Sequence, residues 1–134
     1  MDMRLGKEPV ELDDLRSLHH LKTGALFTAA IEFGAVLSHA AEKDRKALRA
    51  FSRELGIAFQ ILDDILDVTA CKKKRGTEIS SDQKNHKATY LSLLGLDKAK
   101  QELDKHTSDS LRRLKELKND TSLIEFIISH HFRC

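Results

Sequence analysis

The chain's single proline is at position 9, so everything after it lacks the residue that most reliably breaks a helix. Only six glycines and an aromatic content of 5% add to the case against strands, which favour aromatic side chains. From about Leu12 onward apolar residues recur at helical spacing, and long helices are the expected outcome. A first helix begins near Leu12, with Asp13 and Asp14 in a first turn that welcomes negative charge. Leu15, Leu18 and Leu21 mark its apolar face, and Lys22-Thr23-Gly24 interrupts it. The stretch 25–40 is dense in small residues (Gly24, Ala25, Ala29, Ala30, Gly34, Ala35, Ala40), which let helix backbones approach closely and predict a helix central in a bundle.

A third helix is predicted from Asp44 or Lys46 to Val68, with Leu48, Phe51, Leu55, Ala58, Phe59, Leu62 and Leu66 as its apolar positions. Residues 69–86 read as a polar loop holding the basic cluster Lys72-Lys73-Lys74-Arg75, followed by Gly76. A short helix over 88–94 ends at Gly95, a natural C-cap. Asp97 is the expected N-cap of a helix to about Leu117, with Leu103, Leu111, Leu114 and Leu117 on one side. Asn119-Asp120-Thr121 breaks the pattern before a last helix over 122–131. The expected class is all-α, an antiparallel helical bundle.

A length of 134 residues fits one domain with a modest core. The net charge of +2 gives no global field toward nucleic acid, so electrostatic arguments rest on local clusters. No apolar run approaches the ~18 residues of a membrane span. Two cysteines, Cys71 and Cys134, form no disulfide framework; with no signal peptide in view, a reducing cytoplasm is the expected location.

The run carrying chemistry is residues 59–67, FQILDDILD. At about 100° per residue Asp63 and Asp67 share one helix face, with Asp64 beside them. Three carboxylates within a turn repel, and on this prediction they lie near the helix C-terminus, where the macrodipole opposes them too. Such a cluster is tolerated on a solvated face or where a cation neutralises it, and spacing alone leaves both open. Oxygen ligands of this kind suit Mg²⁺, which keeps waters and bridges carboxylates to phosphate oxygens. Lys22-Thr23 offers a point charge and a hydroxyl for a phosphate, and Lys87 near Tyr90 is a further candidate, though each alone is ordinary surface chemistry.

Three segments, 18–26 (LHHLKTGAL), 59–69 (FQILDDILDVT) and 82–96 (DQKNHKATYLSLLGL), occur in the order and spacing of trans-type polyprenyl diphosphate synthases. Together they resemble most the bacterial farnesyl diphosphate synthase branch, and DDILD resembles that family's second aspartate-rich motif. The resemblance implies part of the isoprenoid-synthase fold, with residues 1–134 as the C-terminal part of a polyprenyl synthase domain. It also implies Mg²⁺ as cofactor and condensation of isopentenyl diphosphate with an allylic diphosphate. Asp63 would be the main metal ligand, with Asp64 and Asp67 assisting directly or through water. Lys22 and Lys87 would contact the allylic diphosphate. The Lys22 carbonyl, the Thr23 hydroxyl and the Gln60 amide would face the developing allyl cation, and Phe59 would pack near the isopentenyl chain. Dipoles stabilise such a cation without attacking it, and no side-chain nucleophile is needed.

Two departures stand out. The family has a Gly-Lys pair in the loop after the second motif where this chain has Gly76-Thr77, so Lys74 or Arg75 is left to supply that charge. The family's first aspartate-rich motif and its isopentenyl-binding basic residues lie N-terminal to anything present here. The resemblance therefore implies one wall of an active site, inactive alone and inclined to associate with itself or with the missing N-terminal half. A non-catalytic partner of a full synthase and a terpene cyclase relative are the rival readings. The Lys22-Thr23 and 87–90 (KATY) matches weigh against the cyclase.

Overall fold

The computed structural model of the protein describes residues 11–19, 23–75 and 89–132. Six helices appear among them and no strand: α1 (Leu12–His19), α2 (Ala25–Leu37), α3 (Glu42–Arg75), α4 (Tyr90–Leu94), α5 (Leu96–Leu114) and α6 (Ser122–His131). The organising element is α3, which packs against α1, α2, α4 and α5, while α6 joins through α5.

On α3 the buried residues Phe51, Leu55, Ala58, Ile61, Leu62 and Ile65 follow three- and four-residue spacing and form one stripe. Facing them on α5 are Ala99, Leu103 and Leu114, with Tyr90 of α4, Ile128 and Phe132 completing the core. Leu111 and Leu117 pack on its margin, so the leucine side expected for α5 is the one that faces inward. Pairing of Glu54 with His106, and of Asp64 with Tyr90, shows α3 and the α4–α5 unit running antiparallel. The buried imidazole of His106 lies 2.5 Å from the Glu54 carboxylate and 3.4 Å from that of Glu102. The His106 hydrogen bond is the main reason the Glu54 carboxyl titrates below its ordinary range.

α2 lies antiparallel on α3 in a register read from its pairs: Thr23 with Gln60, Gly24 with Gly56, Thr28 with Ser52, and Glu32 with Arg45 and Arg49. At the tightest point a Cβ on Gly56 would sit 2.9 Å from the Cα of Gly24, so two glycines let the backbones meet. The close approach expected from small residues is therefore real. It is made by Gly24 and a glycine on α3, whereas Ala25, Ala29, Ala30 and Gly34 face solvent. The expected central position belongs to α3: among the described residues α2 touches α3 alone. Its outer side still carries Leu26 (71% exposed), Phe33 (67%), Val36 and Leu37. A helix apolar on both sides has the pattern of one covered on both sides.

Three of the differences from the expected boundaries have a clear local cause. α2 stops at Leu37 because His39, with φ of 55°, takes a left-handed turn closed by His39 N–H to Val36 and Ala40 N–H to Ala35. Gly95, with φ of 78°, ends α4 as expected and also precedes α5, so Asp97 falls inside the first turn of α5 instead of capping it. α3 continues to Arg75, taking in residues expected in a loop. Nothing before Gly76 interrupts it, and the Thr69 hydroxyl is satisfied within the helix by the Ile65 carbonyl. The basic run 72–75 thus forms the last turn, where positive residues suit the macrodipole. Asp67 consequently lies about two turns from the helix end, and the dipole argument against the acidic cluster lapses.

The Gly24–Gly56 contact yields a direct expectation. Gly56→Ala should force α2 off α3 and destabilise the chain by about 1–3 kcal/mol, although alanine is the better helix former. Denaturant unfolding followed by circular dichroism measures this, and an alanine variant as stable as the parent would contradict it.

Candidate functional site

The α3 stripe that meets α2 at Ser52 and Gly56 continues through Phe59, Asp63, Leu66 and Asp67. Because α2 begins at the glycine crossing, the second half of this stripe emerges uncovered: Phe59 is 41% exposed, and Asp63, Leu66 and Asp67 are exposed as well. Phe59 is steadied by the Phe27 ring of α2, with centroids 5.4 Å apart and a tilted arrangement. At the edge of the stripe the Thr23 hydroxyl donates to Gln60 Oε1 at 3.1 Å. The half-turn just before α2 is thereby tied to the turn of α3 that precedes the aspartates.

Asp64 differs from its neighbours. Rotated about 100° from Asp63, it points from α3 toward α4 and is half-buried. Gln60 Nε2 donates to its Oδ1 at 3.2 Å, and the backbone N–H of Tyr90 donates to its Oδ2 at 3.4 Å. Tyr90 is the first residue of α4, whose N-cap Thr89 forms a reciprocal capping box with Ser92. Burial holds the Asp64 carboxyl above the usual aspartate range; the two donated hydrogen bonds pull the other way, and the charges of Asp63 and Asp67 push it further up.

Of the residues singled out in the sequence, the structure thus brings together Thr23, Phe59, Gln60, Asp63, Asp64 and Asp67. Lys22 and Lys87 lie outside the described residues, as do Gly76 and Thr77; Lys74 and Arg75 are placed on the backbone of α3. Among the described residues no three His, Cys, Asp or Glu side chains gather into a metal-holding cluster. Asp63 and Asp67, one turn apart and open to solvent, fit Mg²⁺ of the kind held by one or two carboxylates, with waters and phosphate oxygens completing the shell. Sequence reasoning missed Gly56, which seats α2, and the Tyr90 N–H, which engages Asp64. A glycine mid-helix among apolar residues was the available signal for the first; a backbone donor leaves none.

A family model described as polyprenyl synthetase matches residues 1–127. The chain belongs to that family. Farnesyl diphosphate synthase of Bacillus subtilis is 41% identical over 123 residues, covering 92% of this chain and 42% of that protein. Geranylgeranyl diphosphate synthase of Cyanophora paradoxa is 42% identical over 94 residues, covering 70% of this chain and 31% of the relative. Among solved structures, an FPP/GFPP synthase from Zymomonas mobilis matches with a TM-score of 0.76 at 30% identity, over 97% of this chain and 42% of that one. The chain of this family member therefore spans less than half the length of these relatives. No described helix is long and apolar enough to cross a membrane.

A stability prediction follows from Asp64. Because its pKa is raised in the fold, folding favours the protonated form. Its contribution is most favourable below the unfolded value of about 4 and is lost as pH rises through the folded value. Asp64→Asn should accordingly stabilise the chain at pH 7 by up to about 1 kcal/mol, with the gain vanishing in acid. Thermal melts of both proteins from pH 3 to 7 check this; a parallel offset at every pH would contradict it.

Proposed function

We propose that this chain supplies the cation- and diphosphate-binding wall of a prenyltransferase that condenses isopentenyl diphosphate with an allylic diphosphate. The observation that carries the reading is the uncovered pair Asp63 and Asp67 beside the Thr23–Gln60 hydrogen bond, in a member of a family whose named relatives are prenyl diphosphate synthases.

In this reading Asp63 and Asp67 would hold Mg²⁺, and the chemistry a bound ion supplies is neutralisation of the departing diphosphate. Lys22 and Lys87 add positive charge around the same leaving group. Departure of diphosphate leaves an allyl cation, which the Thr23 hydroxyl oxygen and the Gln60 carbonyl, together with the Lys22 carbonyl that the family resemblance adds, would stabilise with negative dipole ends. The isopentenyl double bond adds to the cation beside the Phe59 ring, and the released diphosphate takes the proton that restores a double bond. Thr23 and Gln60 are matched to this task because neither is a nucleophile at neutral pH. Their mutual hydrogen bond holds them without solvent reorganisation.

The relatives' additional length, and the uncovered apolar side of α2, support a partner for catalysis. That partner is the remaining part of a complete synthase, seated on Leu26, Phe33 and Leu37.

Calorimetry with inorganic pyrophosphate should show binding that depends on Mg²⁺ and is weaker than in a full-length relative, since fewer fixed ligands leave the ion more water. Asp63→Asn should remove the Mg²⁺ dependence. Equal affinity in EDTA would mean that lysines alone hold the anion.

Turnover gives a second test. These 134 residues alone should not measurably condense labelled isopentenyl diphosphate with an allylic diphosphate, because losing either a metal clamp or the second substrate's positioning costs orders of magnitude in rate. Activity should appear when the remaining stretch of a full-length relative is supplied in trans. Robust turnover by the chain alone would overturn the half-site reading.

A further inference from the structure

The three aspartates of DDILD do not share one environment. Asp63 and Asp67 are exposed, whereas both oxygens of Asp64 are engaged within the protein, one by Gln60 Nε2 and the other by the Tyr90 backbone N–H. This arrangement bears on Gln60, because an amide has two ends and only its surroundings decide which way it points. A carboxylate solely accepts hydrogen bonds, so Asp64 demands the NH₂ end of Gln60. The carbonyl end is then directed to the opposite side, where the Thr23 hydroxyl donates to it. Thr23, Gln60, Asp64 and the first residue of α4 form a single polarised chain from the start of α2 to the start of α4.

We propose that Asp64 is a positioning residue and not a metal ligand: it fixes the Gln60 amide with its carbonyl toward Thr23 and anchors α4 to the acidic turn of α3. This rests on the functional reading above for its purpose, since the Gln60 carbonyl faces an electron-deficient centre only in that orientation. Its geometric content is independent of that reading. A flipped amide would present N–H groups to the same place, reversing the sign of the dipole. Asp64→Asn is the informative change. Asparagine can accept from Tyr90 with its oxygen while its own NH₂ faces Gln60, which must then rotate to offer its carbonyl. The side chain keeps its shape and loses the power to dictate.

The test uses the ¹⁵N-labelled chain and reads the Gln60 side-chain amide signals and the Tyr90 backbone amide, with pyrophosphate calorimetry in parallel. Asp64→Asn should move the Gln60 side-chain signals strongly, whereas Asp63→Asn should leave them in place. Pyrophosphate binding by Asp64→Asn should keep its Mg²⁺ dependence, with Kd within about threefold of the parent, while Asp63→Asn loses that dependence. The proposal is overturned if Asp64→Asn abolishes the Mg²⁺ dependence as fully as Asp63→Asn. It is equally overturned if only the Tyr90 amide moves, because Asp64 would then cap α4 without orienting Gln60. Should the parent itself bind pyrophosphate equally with and without Mg²⁺, the metal reading fails, and the Gln60 signals alone decide the positioning role.

Discussion

The backbone contact between Gly24 and Gly56 sets the geometry of the site. Two glycines, with no side chains at the crossing, let α2 lie closer to α3 than any larger pair would permit. From that single point the register runs in both directions. Toward the far end of α2 it places Thr28 on Ser52 and Glu32 on Arg45 and Arg49. Toward the near end it brings Thr23 over Gln60 and leaves the α2-facing stripe of α3 uncovered from Phe59 onward. The openness of the acidic stripe is thus a consequence of where α2 starts.

α3 meets α5, α2 and α4 with three longitudinal stripes. One is the apolar stripe sealed against α5; the second accepts α2 and then carries Asp63 and Asp67; the third, at Asp64, reaches α4. Adjacent residues of identical chemistry acquire different environments because 100° of helical rotation separates them. Asp63 keeps its hydration, while Asp64 trades water for two donors and a higher proton affinity.

Much of this was legible beforehand, and the limits have physical causes. The absence of proline after position 9 and the apolar periodicity predicted all-helical structure, and the last helix, Ser122–His131, lies where its flanking breakers indicated. The end of α3 was misplaced because a polar, basic stretch resembles a loop in composition, yet Thr, Ala, Cys and Lys continue a helix readily when no glycine or proline intervenes. The small residues of α2 signalled close packing without indicating which side would use them. Thr23, Phe59, Gln60 and the three aspartates, singled out by their motifs, are neighbours in the structure. The division among the three aspartates was not, because it depends on a backbone N–H contributed by a helix 26 residues further along.

The burial pattern along α3 has a dynamic consequence. Among the described side chains of α3 the last buried apolar residue is Ile65; Leu66, Asp67 and Thr69 are exposed and Val68 is only partly covered. Asp63 therefore lies within the core-packed part of the helix, where amide opening would require the core to open, whereas Asp67 lies on the turn beyond Ile65, where the described side chains offer less packing against opening. An ion shared by the two carboxylates would join those segments, extending the slow-exchanging part of the helix by a turn. The acidic pair spans the step from core-packed to exposed side chains on one continuous helix, so an ion held there would couple its occupancy to how far the core packing reaches along it.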